Sequence, residues 1–78
     1  GEIMYTLKFL KTDGKPVMFD SINEIRVGNS YSALETVKQE NIFNYVFPTQ
    51  GFFQLIGNNI NVTYYADSNT TGVIVLKD

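Results

Sequence analysis

The chain contains no cysteine, no histidine and no tryptophan, and only two of its 78 residues are proline. Without cysteine no disulfide can brace the fold, and no thiolate can act as a nucleophile or metal ligand. Without histidine the Ser-His and Cys-His pairs of nucleophilic catalysis are excluded. Together the two absences remove most zinc and transition-metal sites. Basic residues are few as well: Lys8, Lys11, Lys15, Arg26, Lys38 and Lys77, giving a net charge of −2. Only Lys8, Lys11 and Lys15 cluster, which is a poor footprint for the several phosphate contacts of a nucleic-acid site. No apolar run approaches the ~20 residues of a membrane-spanning helix. These absences predict no catalytic residue, no metal, no cofactor, no nucleic-acid partner and no transmembrane segment.

What is present is apolar and aromatic. Hydrophobic residues make up 44% of the chain, with six Phe and five Tyr. A chain this short is a single domain over residues 1–78. It buries only about 60–65% of the surface its unfolded state exposes, so rings must supply most of the core.

The densest aromatic stretch runs from residue 42 to residue 65 and reads as strand, turn, strand, turn, strand. Residues 42–47 are apolar at nearly every position, which suits a strand covered on both faces and stopped by Pro48. Phe52 to Ile56 form the next strand after a turn at Gly51. Gly57-Asn58-Asn59 is a further turn. Ile60, Val62 and Tyr64 then alternate with Asn61, Thr63 and Tyr65. The same parity puts Phe53 and Leu55 inward and leaves Phe52 and Tyr65 as the outward pair. These two are the candidate binding residues, because exposed rings stack on sugars and anchor protein interfaces.

The N-terminal half alternates too. Ile3, Tyr5, Leu7 and Phe9 share one face of a strand over residues 3–11. Asp13-Gly14 is a hairpin signal, since glycine accepts positive φ without steric cost. Val17, Phe19, Ile25 and Val27 share one parity and Ile22 breaks it, which predicts a bulge or break near Asp20-Ser21. Residues 30–41 admit two readings. Ser32 and Glu35 have capping-box spacing, and Tyr31, Leu34 and Val37 fall roughly on one face, so a short helix is expected. The rival is a strand over 31–37 followed by a loop at 38–41. Ala66 to Gly72 reads as a polar loop, and Val73 to Leu76 as a final short strand. Strand and turn signals recur about every 8–12 residues, the signature of a sandwich or barrel. The expected fold is therefore mainly β, a small antiparallel β-sandwich of about six or seven strands, with one short helix at 30–41.

The order of these features resembles the transthyretin-like and carboxypeptidase regulatory-like domains. Thr12-Asp13-Gly14-Lys15-Pro16-Val17 is similar to that family's D-G-K-P-L/V entry to its second strand. Ile25-Arg26-Val27 resembles its V-x-V strand. Thr49-Gln50-Gly51-Phe52-Phe53-Gln54-Leu55 resembles its T-D-x-G-x-F-x-L hairpin, with Gln50 where the family carries an acid. Ile60 to Tyr65 is similar to the L-x-V-S-Y strand that follows. The resemblance implies a seven-strand sandwich without catalytic residues, serving as an accessory or adhesive module. The module is expected to be exported or at the cell surface, and to meet a protein or carbohydrate partner through its loops, a sheet edge or its aromatic residues. The Gly at position 1 in place of Met fits a trimmed or processed chain. The alternative fold is a ubiquitin-like β-grasp, with the helix over 31–41 packed on a sheet, acting in the cytoplasm as a protein-interaction domain.

Two acidic groups require comment. Asp67-Ser68-Asn69-Thr70-Thr71-Gly72, with Asp78 eleven residues beyond Asp67, approximates the oxygen spacing of a calcium loop. A strand precedes it where a helix should stand, so the expectation is a polar hairpin turn. Asp20 and Glu24 form a carboxylate pair in sequence, and a solvated strand edge explains them.

Overall fold

The computed structural model describes residues 2–78; Gly1, read above as the mark of a trimmed chain, lies outside them. Seven strands form two antiparallel sheets: β1 (Tyr5–Lys11), β2 (Val17–Ile22), β3 (Glu24–Gly28), β4 (Glu35–Val37), β5 (Gly51–Ile56), β6 (Asn61–Ala66) and β7 (Thr70–Lys77). The three-stranded sheet has the order β2-β1-β7, and the four-stranded sheet the order β4-β3-β5-β6. Their inner faces meet over one core, so the chain is a small β-sandwich.

Alternation builds that core. Tyr5, Leu7 and Phe9 of β1 and Phe53 and Leu55 of β5 are all buried. Phe9 is central: its ring lies 4.9 Å from that of Phe53 at 80° and 4.5 Å from that of Tyr64. Phe19 closes the cluster against Phe9 and Tyr64. Edge-to-face and tilted contacts of this kind add to the burial term, which suits a core without disulfides. Ile3, expected on the same face, is exposed beyond the start of β1.

The predicted irregularity at Asp20-Ser21 is a β-bulge. Tyr5 pairs with Ile22 and Leu7 with Phe19, so two residues of β2 oppose Thr6 alone. Ser21 takes a positive φ of 58° to accommodate the extra residue. The bulge returns Ile22 to the inner face, where it is fully buried. After the single residue Asn23 the chain continues as β3 in the other sheet. The bulge thus marks the strand's passage between sheets, which is why the apolar parity changes there.

Residues 30–48 depart from expectation. No α-helix forms over 30–41, and of the rival strand over 31–37 only the last three residues form. Glu35–Val37 pairs with β3 as an edge strand, Arg26 opposite Thr36, and buries Val37. Thr36 and Val37 are β-branched and favour the sheet. The thin apolar stripe of the helical reading had no surface to cover. A 3₁₀ helix follows at Gln39–Asn44, so only its first three residues overlap the expected helix. The fully covered strand over 42–47 is also absent. Ile42 plugs the core from the 3₁₀ helix, and Phe47 packs on Phe53 at 5.9 Å. Phe43, Tyr45 and Val46 stay exposed. An apolar run without alternation is equally compatible with a strand and with a plug, and Pro48 removes a ladder donor at its end. With the β-grasp's helix missing and its one sheet replaced by two, that alternative is set aside.

The final strand is longer than expected. β7 begins at Thr70, so the polar loop shortens to the turn Asp67–Asn69. The Asp67 carboxylate accepts from the Asn69 N–H at 2.9 Å, and the Thr70 N–H donates to the Asp67 carbonyl at 3.0 Å. Among the described residues, no helix is long and apolar enough to cross a membrane.

Candidate binding face

In a sandwich the inner faces are consumed by the core, which leaves the outer faces and the strand edges for contact. On the outer face of the four-stranded sheet, Phe52 of β5 stands directly opposite Tyr65 of β6. Their rings are 4.9 Å apart at 49°. Parity alone placed both outward, and both are on that face. Tyr65 is 55% exposed and Phe52 half-buried, because a third ring leans on it.

That third ring is Tyr31, edge-on to Phe52 at 5.8 Å and 87°. The sequence reading assigned Tyr31 to a helix face and missed it. Gly28 brings it into place. It pairs with Phe52 at the end of β3, and a Cβ on it would stand 2.5 Å from the Ala33 carbonyl oxygen. Only glycine lets the 29–34 segment fold back so closely over the strand end. The turn is closed by the Ala33 N–H donating to the Ser30 carbonyl at 3.1 Å. Tyr31, 69% exposed, then completes a row with Phe52 and Tyr65.

The next row along the sheet is polar: Thr36, Arg26, Gln54 and Thr63 lie side by side across the four strands. The Arg26 guanidinium is paired with Glu24 at 2.8 Å, and the Gln54 amide donates to the Asn61 side chain at 3.2 Å. These groups are held in place yet open to solvent, and each retains further hydrogen-bonding capacity. A flat sheet with an aromatic row beside amides, hydroxyls and a guanidinium can stack on a planar or ring-shaped partner and hydrogen-bond its edges.

The remaining sequence candidates are not brought together. Asp20 projects from β2, whereas Glu24 begins β3 in the opposite sheet and is taken up by Arg26. Asp67 and Asp78 flank β7 at opposite ends, roughly 25 Å apart at the rise of an extended strand. The calcium-loop spacing therefore does not converge. Asp67 instead binds the Lys11 ammonium at 2.8 Å. That hydrogen bond, aided by the Asn69 N–H, holds the Asp67 carboxyl below its ordinary value and raises the Lys11 amine. Asp78 accepts from the buried Thr6 hydroxyl and from the Ser21 N–H of the bulge. Among the described residues, no three acidic side chains gather as a metal site would require.

Two shallow clefts border the sandwich. One, of about 410 Å³, lies between the 29–35 segment and Tyr45, Pro48 and Gln50. The other, of about 580 Å³, is lined by Glu2, Tyr5, Glu40, Phe43 and Lys77, with the Lys77 amine 4.8 Å from the centre of the Phe43 ring. No protein-family model matches the chain, and neither does any curated protein sequence or solved structure.

Proposed function

We propose that this domain is a non-enzymatic binding module that makes its contact through the outer face of the four-stranded sheet. The observation that carries the reading is the row Tyr31, Phe52 and Tyr65, whose rings are linked at 5.8 and 4.9 Å and bordered by Arg26, Gln54 and Thr63. Large rings leaning on one another are costly to leave in water and well suited to anchor a partner. The absence of histidine and cysteine from the chain supports a role in binding rather than catalysis. The transthyretin-like resemblance belongs to the same proposal, and with it a structural or adhesive role in an exported setting. Seven strands in two antiparallel sheets are an architecture common to many unrelated domains, so the resemblance rests on its sequence motifs.

The partner is a carbohydrate or a protein presenting flat, hydroxyl-rich or amide-rich surface. Affinity electrophoresis through gels carrying soluble plant, bacterial or animal polysaccharides tests the first, and binding to immobilised extracellular-matrix proteins tests the second. The wild-type chain is expected to be retained by one of these. Phe52→Ala/Tyr65→Ala should lose retention, whereas Met18→Ala, on the outer face of the other sheet, should keep it. Equal retention of the double variant and the wild type, or no retention on either panel, refutes the proposal.

A further inference from the structure

Every open sheet has two edges, and soluble β proteins guard theirs. Three of the four edges here are guarded. β4 has only three residues. β2 follows Pro16 and carries the Asp20-Ser21 bulge. β6 alternates Asn61, Thr63 and Tyr65 on its outer side and leads into Asp67. The fourth, β7, is the longest strand at eight residues, Thr-Thr-Gly-Val-Ile-Val-Leu-Lys. It has no proline, no acid, and no lysine before its last position. Among the described residues its only neighbour strand is β1, and the 3₁₀ helix Gln39–Asn44 packs against it, with Phe43 under the Lys77 amine.

The free backbone groups of that edge can be identified. The Asp78 N–H donates to the Met4 carbonyl at 2.9 Å, which fixes Met4–Asp78 as a hydrogen-bonded pair. Bonded and non-bonded pairs alternate along an antiparallel ladder. Leu76, Ile74 and Gly72 therefore bond to β1, and the N–H and C=O groups of Val73, Val75 and Lys77 point away from it. Ile74 and Leu76 are exposed on the outer face.

We infer that β7 is a dimerisation edge, and that its partner is β7 of a second copy of this chain, antiparallel about a two-fold axis through Ile74. The strand is complementary to itself in that register. Val73 meets Val75 of the second copy as a hydrogen-bonded pair, using the outward groups of both. Ile74 meets its symmetry mate as a non-bonded pair, β-branched against β-branched. Gly72, whose outer face is covered by the Leu10 side chain of β1, falls opposite Leu76 of the second copy. Lys77 falls opposite Thr71 rather than opposite another lysine. β7 itself carries no acidic residue, so its pairing sets no carboxylates face to face when two chains of net charge −2 meet. The contact is isologous and closes at two copies, because the sheet's other edge is bulged. The dimer joins two three-stranded sheets into one of six and leaves the aromatic row of the opposite sheet free.

A non-bonded antiparallel pair brings its Cα atoms to ~4.5 Å, within the range a disulfide spans. The chain has no cysteine, so Ile74→Cys introduces a single reporter. Under mild oxidation it should cross-link to twice the monomer mass, and Met18→Cys, exposed on β2, should not. Sedimentation equilibrium should give a concentration-dependent dimer for the wild type. Ile74→Lys sets two ammonium groups face to face and should be monomeric with an unchanged far-UV spectrum. A wild type monomeric up to millimolar concentration overturns the inference. So does Ile74→Cys cross-linking no faster than Met18→Cys, or a dimer that survives Ile74→Lys. Should Ile74→Lys fail to fold, the cysteine pair decides alone.

Discussion

Phe52 and Phe53 are adjacent in the chain and lie on opposite faces of β5, so their truncation separates the core from the candidate binding face. Phe53 is fully buried and touches the rings of Phe9 at 4.9 Å and Phe47 at 5.9 Å. Phe53→Ala removes its transfer energy and opens a cavity among rings that cannot collapse into it, a cost of about 3–5 kcal/mol. A domain of this length has a total stability of about 4–12 kcal/mol. The variant should therefore be marginal or unfolded at room temperature. Phe52 is half-buried, and its neighbours Tyr31 and Tyr65 are themselves exposed. Its truncation loses two ring contacts, each worth ~0.5–1.5 kcal/mol, and forms no cavity. The expected cost is about 1–3 kcal/mol. Urea unfolding followed by far-UV circular dichroism measures both. With a slope of ~1 kcal/mol/M for a small chain, the midpoint should fall by about 1–3 M for Phe52→Ala. For Phe53→Ala it should fall by about 3 M or more, or the transition should vanish. Comparable losses for the two would refute the division of β5 into a core face and a contact face.

Three further perturbations follow from particular contacts. Gly28→Ala places a Cβ 2.5 Å from the Ala33 carbonyl oxygen, a backbone atom. The strain should cost about 1–3 kcal/mol in urea unfolding. It should also displace Tyr31 from Phe52, seen as a change in the near-ultraviolet tyrosine signal. Asp78→Ala strands the Thr6 hydroxyl, which is 7% exposed, and the Ser21 N–H. The cost should be about 1–3 kcal/mol, and Thr6→Val in the same background should recover part of it, since both polar partners are then gone. Stability should also depend on pH through Lys11 and Asp67. The lowered Asp67 carboxyl contributes above the unfolded value near ~3.9, and the contribution is lost as pH falls through its folded value. The raised Lys11 amine contributes below its unfolded value near ~10.4, and that contribution is lost as pH rises through its folded value. The difference between wild type and Lys11→Met should be level from about pH 5 to 9 and shrink at both extremes. A difference unchanged at pH 3 would show that the pair is not ionic.

Legibility from the sequence followed the strength of the alternation. β1, β5 and β6 each carry a regular inward set (Tyr5, Leu7 and Phe9; Phe53 and Leu55; Val62 and Tyr64), so a one-residue slip would expose a whole apolar set and the register is well specified. The bulge at Ser21 was visible for the same reason, as a break in an otherwise regular parity at Ile22. Residues 30–48 carry no such constraint. Val37, Ile42 and Phe47 each contribute one side chain to the core from a different backbone form: edge strand, 3₁₀ helix and extended segment. Which form each takes is set by the space the two sheets leave, a tertiary property that no local period encodes. The same asymmetry governs the candidate site. Phe52 and Tyr65 face outward by parity within single strands, and that is readable. Tyr31 joins them only because Gly28 lacks a Cβ, and Arg26, Gln54 and Thr63 align only through cross-strand register.

The two proposed contact surfaces sit on different sheets, and the core explains why they can coexist. With a margin of a few kcal/mol, a domain this short cannot spare inner-face positions for a ligand cavity. Phe9, Phe53 and Tyr64 are committed to one another, and the two clefts at the rim are shallow. Contact must then use side chains whose loss the fold survives. Tyr31, Tyr65, Ile74 and Leu76 are exposed and meet that condition. The aromatic row lies on the four-stranded sheet and the free edge belongs to the three-stranded one, so a dimer through β7 would present two aromatic rows at once. Two linked sites of modest affinity hold a multivalent surface far more tightly than one. Retention of the wild type on a repeating polysaccharide should therefore fall when Ile74→Lys makes it monomeric, although Ile74 touches none of the three rings. If retention is the same for monomer and dimer, the two surfaces act independently.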